Sequence, residues 1–444
     1  MKQMSVIIAV LIAFGLTSGI YGEEKTLTID ECVQIALEHN PDLVRGRFTV
    51  KIAGKDVTLA FSNFLPSVSM GMGYTHSVAG PRSTFRIDPR TGILVPTTAA
   101  EEVSWWSSAG ISVDQTIFNG GYNIFYYRQS RSLKKSAEYN FEDTKQMTIY
   151  VVKERYYNLL AAEKLLQVAE ETLKSSEESF KRAQVLFEVG KVAKSDVLKA
   201  KVQLETDRLG LIKAQNNLAI ARASLNHILG LDVDHKIRVV DNLDVPEIEV
   251  SYEDAAKNAF TYHPSLIKRT YDVKASKAGI GMAVSQYLPS LSAYYSYSWS
   301  HKDFDQIKHI FDRDYGWYVG VSLSMPIFQG FSRFAYLSKA RLNHKSSKEA
   351  FAQTRRDVAL ETKQAYFEVQ QAKKAIAVSR NVVEAAEEDL RLNKEKYRLG
   401  AGTMLELINA QVSSTEARSE HIQALYNYKY AIARLQKAMG KLER

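Results

Sequence analysis

Along most of this chain apolar residues recur every three to four positions, but four short stretches switch to strict alternation. After Pro66, Val68, Met70, Met72 and Tyr74 alternate with Ser67, Ser69, Gly71 and Gly73. The same switch follows Pro289 in "YLPSLSAYYSYSW". "WWSSAGISVDQ" sets Ala109, Ile111 and Val113 against Ser108, Gly110 and Ser112. "WYVGVSLSM" sets Val319, Val321, Leu323 and Met325 against Gly320, Ser322 and Ser324. Strands with two unlike faces are therefore expected at about 66–76, 105–115, 289–301 and 317–326.

The rest of the pattern is helical. Short helices are expected over Ile29–His39 and Tyr252–Tyr262, behind the capping-box pairs Thr28–Glu31 and Ser251–Asp254. Helices of about 24 residues start near Pro41 and Pro264, where proline suits the first turn. After "FNGG" and "FQGF" come helices of about 70 residues, or about 100 Å at 1.5 Å rise. Gly190 and Gly400 reverse each into a return helix of about 35 residues.

The long helices carry heptads. Leu159, Leu166, Leu173, Phe180 and Phe187 fall seven apart, with Ala162, Ala169, Ser176 and Ala183 three residues on. Val369, Ile376, Val383, Leu390 and Tyr397 repeat this, with Ala372, Ser379 and Ala386. The return helices answer with Val197, Leu204, Leu211, Leu218 and Leu225, and with Ala410, Ala417, Ala424, Ala431 and Ala438. Large side chains facing alanines let antiparallel helices approach closely as coiled coils. A strict seven-residue repeat separates this from ordinary amphipathic helices, which drift off it.

Laid side by side, these elements show that the chain is written twice. "EHNPDLVRGR" matches "TYHPSLIKRT", "GISVDQTIFNGG" matches "GVSLSMPIFQGF", and "FEVGKVAKSDVLKA" matches "YRLGAGTMLELINA". The expected domains are a signal peptide at 1–22, a first structural repeat at 23–230 and a second at 231–444. An insertion in the first copy, roughly Ser77 to Glu102, holds Pro81, Pro89 and Pro96 and reads as a long loop.

Charge and composition narrow the class. Net charge is +8 over 444 residues, but Lys and Arg alternate with Glu and Asp along the helices. That describes solvated helix faces rather than a nucleic-acid surface. Lys2, the apolar run Val6 to Leu16 and the small residues before "EEKT" read as an export signal cleaved near Gly22. Cys32 is the only cysteine, so stability rests on packing or assembly. No stretch after the signal is long and apolar enough for a transmembrane helix, so membrane entry requires strands.

Tyr74, Trp105, Trp106, Trp299 and Trp317 cluster near the strand ends, as in transmembrane β-barrels. A soluble sheet packed on the coiled coil is the alternative. Four strands cannot close alone and open edges cannot face lipid, so a barrel implies that two, three or four chains pool their strands.

The NP-L helix start, the LPS strand entry, the FNGG strand exit and the two Gly-tipped coiled coils together resemble the outer-membrane efflux protein (TolC) family. The resemblance covers nearly the whole mature chain. It implies a mainly α fold with a β-barrel portion, in which three chains build one twelve-stranded barrel continuous with a long coiled-coil helical tunnel in the periplasm. It implies an outer-membrane location and a homotrimer in contact with outer-membrane lipid. It further implies a passive exit duct for efflux or type I secretion, docked on a periplasmic adaptor and an inner-membrane transporter. The tips Val189-Gly190-Lys191 and Leu399-Gly400-Ala401 match the family's adaptor-contacting turns, with Lys191 in place of the usual apolar residue. Asp196 and Tyr397 match an inter-helix link of the periplasmic gate, and Glu406 matches the first of two ring acids. Asn409 stands in place of the second, and Gly402 where some members carry a linking arginine. The same residues have plainer readings: Tyr397 as the last seam knob, Glu406 as partner of Thr403 in a capping box.

No catalytic constellation, cofactor motif or metal-ligand spacing appears, so no enzyme activity, cofactor or metal is expected. The reading from another class is a periplasmic coiled-coil scaffold or adaptor without a barrel. It gives the two-faced strands no task.

Overall fold

In a computed structural model the described residues are 25–240 and 250–442, so the expected export signal lies outside them. The first repeat runs β1 (Lys25–Leu27), α1 (Ile29–His39), α2 (Pro41–Ser62), β2 (Ser67–Ala79), β3 (Arg82–Ile87), β4 (Leu94–Ala99), β5 (Glu102–Asn119), α3 (Tyr122–Glu188) and α4 (Lys194–Leu229). The second runs β6 (Ile237–Val239), α5 (Tyr252–Tyr262), α6 (Pro264–Ser285), β7 (Ser290–His301), a 3-10 turn (Phe304–His309), β8 (Tyr315–Ser324), α7 (Ser332–Arg398) and α8 (Met404–Ala438). α3 and α7 have 67 residues each, and α4 and α8 have 36 and 35.

Local chemistry sets the boundaries. Thr28 and Glu31 form a full capping box: the Glu31 N–H donates to Thr28 Oγ1 at 3.3 Å and the Thr28 N–H to Glu31 Oε2 at 2.8 Å. The Ser251–Asp254 pair, expected to match it, makes only half. Ser251 caps the Asp254 N–H at 3.1 Å, but Asp254 is one methylene shorter than Glu. Its carboxylate takes the Ser251 hydroxyl at 2.8 Å instead. The prolines of the Leu-Pro-Ser steps stop α2 and α6 and release the chain as β2 and β7.

The insertion expected as a loop is a β-hairpin. β2 continues to Ala79 and β5 starts at Glu102, its register partner, and β3 and β4 pair beyond them. Asp88 closes the tip: its carbonyl accepts the Gly92 N–H at 2.8 Å and its Oδ1 the Arg90 N–H at 2.9 Å. Pro96 is tolerated because this ribbon has two strands and open outer edges. Since β2 and β5 pair fully without it, replacing residues 80–101 by a short turn should leave membrane assembly unchanged. Gel mobility of unheated, SDS-solubilised protein reads this out.

The two-stranded parallel sheet of β1 and β6 was not foreshadowed by any alternation. Three residues per strand are too few to show a period.

The described residues divide into two compact units, each built from both repeats. The first holds the chain up to Val50, Ala137–Arg269 and Phe351 onward. Its main core sets Leu159, Val152 and Ile149 against Cys32, Ala36, Leu225 and Leu229. A second cluster sets Ala365, Val369 and Ala372 against Ala255, Leu435 and Ala438. Cys32 is buried and its thiol is pushed up to about 12, chiefly by loss of solvation, so it is a core residue. The two return helices end alike: Gly230 and Gly440 lie at φ +75° and +68°. A Cβ there would stand 2.7 Å from the His39 oxygen and the Tyr262 backbone, the last residues of α1 and α5. Every predicted seam position except Phe187 is buried or half-buried.

The second unit, Lys51–Ser136 and Thr270–Ala350, contains the sheet β2-β5-β7-β8, antiparallel throughout.

Candidate functional site: a two-faced sheet and two helical tips

Register turns the alternation into two surfaces. Val68–Val113–Tyr295–Val319 form one cross-strand row, Met70–Ile111–Tyr297–Trp317 the next on that face, and Met72–Ala109–Trp299–Tyr315 a third. The opposite face holds Ser69–Ser112–Ser296–Tyr318 and Gly71–Gly110–Ser298–Gly316. Ser69 and Ser112 hydroxyls lie 2.7 Å apart across it. Val68, Val319 and Leu323 on the apolar face are each 69% exposed. Contiguous apolar surface of this kind demands an apolar neighbour.

At the loop end of that face Tyr74 stacks on Trp105 at 5.5 Å, and Trp105 on His76 at 3.8 Å. Trp299 is buried, and the Tyr297 hydroxyl donates to the Ile310 carbonyl at 2.6 Å. Trp106, grouped with these aromatics by its position in the chain, pairs with Thr75 and so falls on the serine-glycine face.

The helices beside the sheet form an open row. α2 meets α3 through Phe61, Phe64 and Tyr127, and the Asn123 side chain donates to the Asn63 carbonyl at 2.8 Å. α3 meets α6 where Phe125 Cδ1 lies 2.4 Å from the place a Cβ at Gly281 would take. Ser136 donates to Asp272 along the same contact. α6 meets α7 through Ser276 and His344 at 3.0 Å. The repeat equivalents of the α3–α6 contact are the outer faces of α7 and α2, and both are bare. Phe334 and Leu342 on α7 are 70% and 61% exposed, Ile327, Phe328 and Phe331 just before it 77–91%, and Ile52 and Leu59 on α2 62% and 60%. Among the described residues both outer strands, β2 and β8, also keep one unpaired edge.

At the tips, Gly190 and Gly400 stand at φ +73° and +77°. Each closes a Schellman motif. Lys191 and Gly190 N–H groups donate to Leu186 and Phe187 carbonyls at 2.8 and 2.9 Å; Ala401 and Gly400 donate to Lys396 and Tyr397 at 2.9 and 3.2 Å. Val189, Lys191, Leu399 and Ala401 are exposed.

Behind the tips, Tyr397 packs with Ala183, Ala200, Met404 and Leu407, so the seam joins the two hairpins here. Its hydroxyl is buried and has no hydrogen-bond partner among the described residues. Burial raises its pKa first, the Asp196 carboxylate raises it further, and Arg182 opposes both. Asp196 is thus brought near Tyr397, but its bond goes to Lys199 Nζ at 3.3 Å. Glu406 completes the capping box with Thr403, accepting the Thr403 N–H at 2.8 Å, and this lowers its pKa. Asn409 is exposed and shares no bond with it.

Sequence reasoning missed Lys199 and a buried polar layer one step above the tips. There Gln411 donates to Ser176 at 2.7 Å, Ser176 to Asp207, and Gln203 to Asp207 at 2.9 Å. Its signal was Ser176 standing among alanines in the small register of the seam.

The sequence profile of the family described as "Outer membrane efflux protein" matches residues 32–231 and 255–441. The chain is 21% identical over 430 residues to outer membrane protein TolC of Vibrio cholerae, covering 96% of this chain and 93% of that protein. It is 23% identical over 454 residues to TolC of Escherichia coli, covering 99% and 87%. Its fold superposes on the Campylobacter jejuni CmeC outer membrane channel with a TM-score of 0.82 at 19% identity, covering 96% and 92%. The two matched segments take in both helical hairpins and all four strands of the two-faced sheet, so the chain belongs to the outer membrane efflux protein family.

Proposed function

We propose that three copies of this chain close head to tail into an outer-membrane duct, the passive exit of a tripartite efflux or type I secretion system. The supporting observation is the pair of bare ends. β2 and β8 have free edges, and α7 and α2 leave uncovered the faces whose repeat equivalents, on α3 and α6, are packed. A heterologous contact between such ends closes a ring when the rotation fits, and closure removes the edges that lipid cannot satisfy. The apolar face then meets lipid, and the serine-glycine face lines the lumen.

The test uses the ends themselves. Thr58 and Ala335, the repeat equivalents of Gly281 and Phe125, are exposed. Thr58→Cys combined with Ala335→Cys should give, on oxidation in outer-membrane fractions, covalent dimers and trimers and nothing larger. A ladder beyond three, or monomer alone, overturns the ring of three.

The exposed tips, with Val189 and Leu399 on Schellman turns, are the surface offered to a periplasmic adaptor and, through it, to an inner-membrane transporter. Asp196, Tyr397, Glu406 and Asn409 behind them form the gate region. The closed clasp forms when Asp196 turns from Lys199 to accept the Tyr397 hydroxyl. A hydrogen bond to a charged acceptor is worth about 1.5–3 kcal/mol, enough to move a closed–open equilibrium measurably. Tyr397→Phe keeps the ring in the seam and should raise resting conductance in planar bilayers. Unchanged conductance makes Tyr397 a seam knob only. Glu406→Gln keeps the capping box and should weaken cation preference instead.

A further inference from the structure

The serine-glycine face is almost free of charge. Among the described strands, apart from Glu102 at the loop end, Asp114 is its one charged residue. Asp114 is the direct cross-strand partner of Tyr294, and Tyr294 of Gly320. Partners in adjacent strands lie about 5 Å apart on one face. The Tyr294 ring leans across β8: a Cβ at Gly320 would stand 2.5 Å from its hydroxyl. Tyr318, one row away, meets Tyr294 edge-on with ring centroids 5.9 Å apart. Tyr318 is 57% exposed, Tyr294 36%, and Asp114 is exposed.

We propose that Asp114, Tyr294 and Tyr318 form a binding site for organic ammonium ions on the luminal wall of the barrel. A carboxylate on one strand and exposed aromatic rings on the next two suit a large, weakly hydrated cation that can span them. The carboxylate supplies charge, and the rings supply cation–π attraction. Small, strongly hydrated cations gain the first and little of the second. The hydroxyls around the site offer no competing charge. This rests on the barrel reading above, in which threefold symmetry repeats the site around one axis. Amine-bearing amphiphiles are the class of cargo that such a ring would retain and pass.

The experiment uses the full chain reconstituted in planar bilayers, with tetrabutylammonium added on the loop side. Its block of the potassium current should weaken about tenfold in Asp114→Asn, and by a similar factor in the double variant Tyr294→Leu/Tyr318→Leu. The double variant Tyr294→Phe/Tyr318→Phe should keep the block, because the rings remain. Equal block in wild type, Asp114→Asn and the leucine variant overturns the site while leaving the channel reading intact. Failure of wild-type protein to form any conducting channel overturns the barrel reading instead, and the site with it.

Discussion

Gly120→Ala is expected to remove most assembled protein from the outer membrane, while Gly190→Ala should leave nearly all of it. Both glycines have positive φ, +66° and +73°, so an alanine at either pays a left-handed backbone penalty of about 1–2 kcal/mol. Their surroundings differ. A Cβ at Gly120 would stand 2.4 Å from the Ser285 carbonyl oxygen and 2.9 Å from Leu288 Cβ. The backbone oxygen cannot swing aside as a side chain can, so α6 itself must shift from the start of α3. Overpacking of this kind costs about 1–3 kcal/mol more. A total of about 3 kcal/mol is a large share of ordinary domain stability. Around Gly190 nothing lies within 4 Å of the Cβ position, so only the backbone penalty applies. Quantifying SDS-resistant oligomer in membrane fractions of both variants measures the contrast. Equal yields would mean that the strand-to-helix step relaxes freely.

The repeat made most of this fold legible. Alternation marked the four long strands because each has one face of near-uniform chemistry, and strict sevens marked the helices because their seams are long. Short elements lacked the residues to show a period, as β1 and β6 illustrate. The β3–β4 hairpin was hidden by its prolines, which two-stranded ribbons accommodate. The candidate site was less legible. The positions of Asp196, Tyr397 and Glu406 followed from family resemblance, but their partners depend on side-chain geometry. Asp196 bonds one helical turn along its own helix, to Lys199, and Glu406 caps its own helix. Pattern alone also grouped Trp106 with aromatics on the face it does not share. Pairing register decides that, and one residue of register exchanges lipid for lumen.

Enlarging the alanine seam should loosen the second hairpin strongly at two positions and weakly at a third. Ala410 and Ala417 on α8 are buried to 3% and 4% exposure. Leucine at either must push α8 away from its neighbours, at about 1–3 kcal/mol each. Seven residues separate them by about 10 Å along the helix, far enough for the two effects to add to about 2–6 kcal/mol. Ala424 continues the same heptad but is half-buried and borders a groove of about 430 Å³ with Glu368, Gln371, Ala375, Asn427 and Arg434. Leucine there can extend into the groove rather than into packed side chains, so its cost in one chain is small. Heating purified, SDS-resistant assemblies of Ala410→Leu/Ala417→Leu and of Ala424→Leu, and recording the temperature at which each falls to monomer, separates the cases. If the Ala424 variant falls as early as the double variant, a neighbouring copy fills that groove in the ring. If neither variant shifts, the alanines do not mark the contact face, and the seam must be redrawn around the leucines of α4.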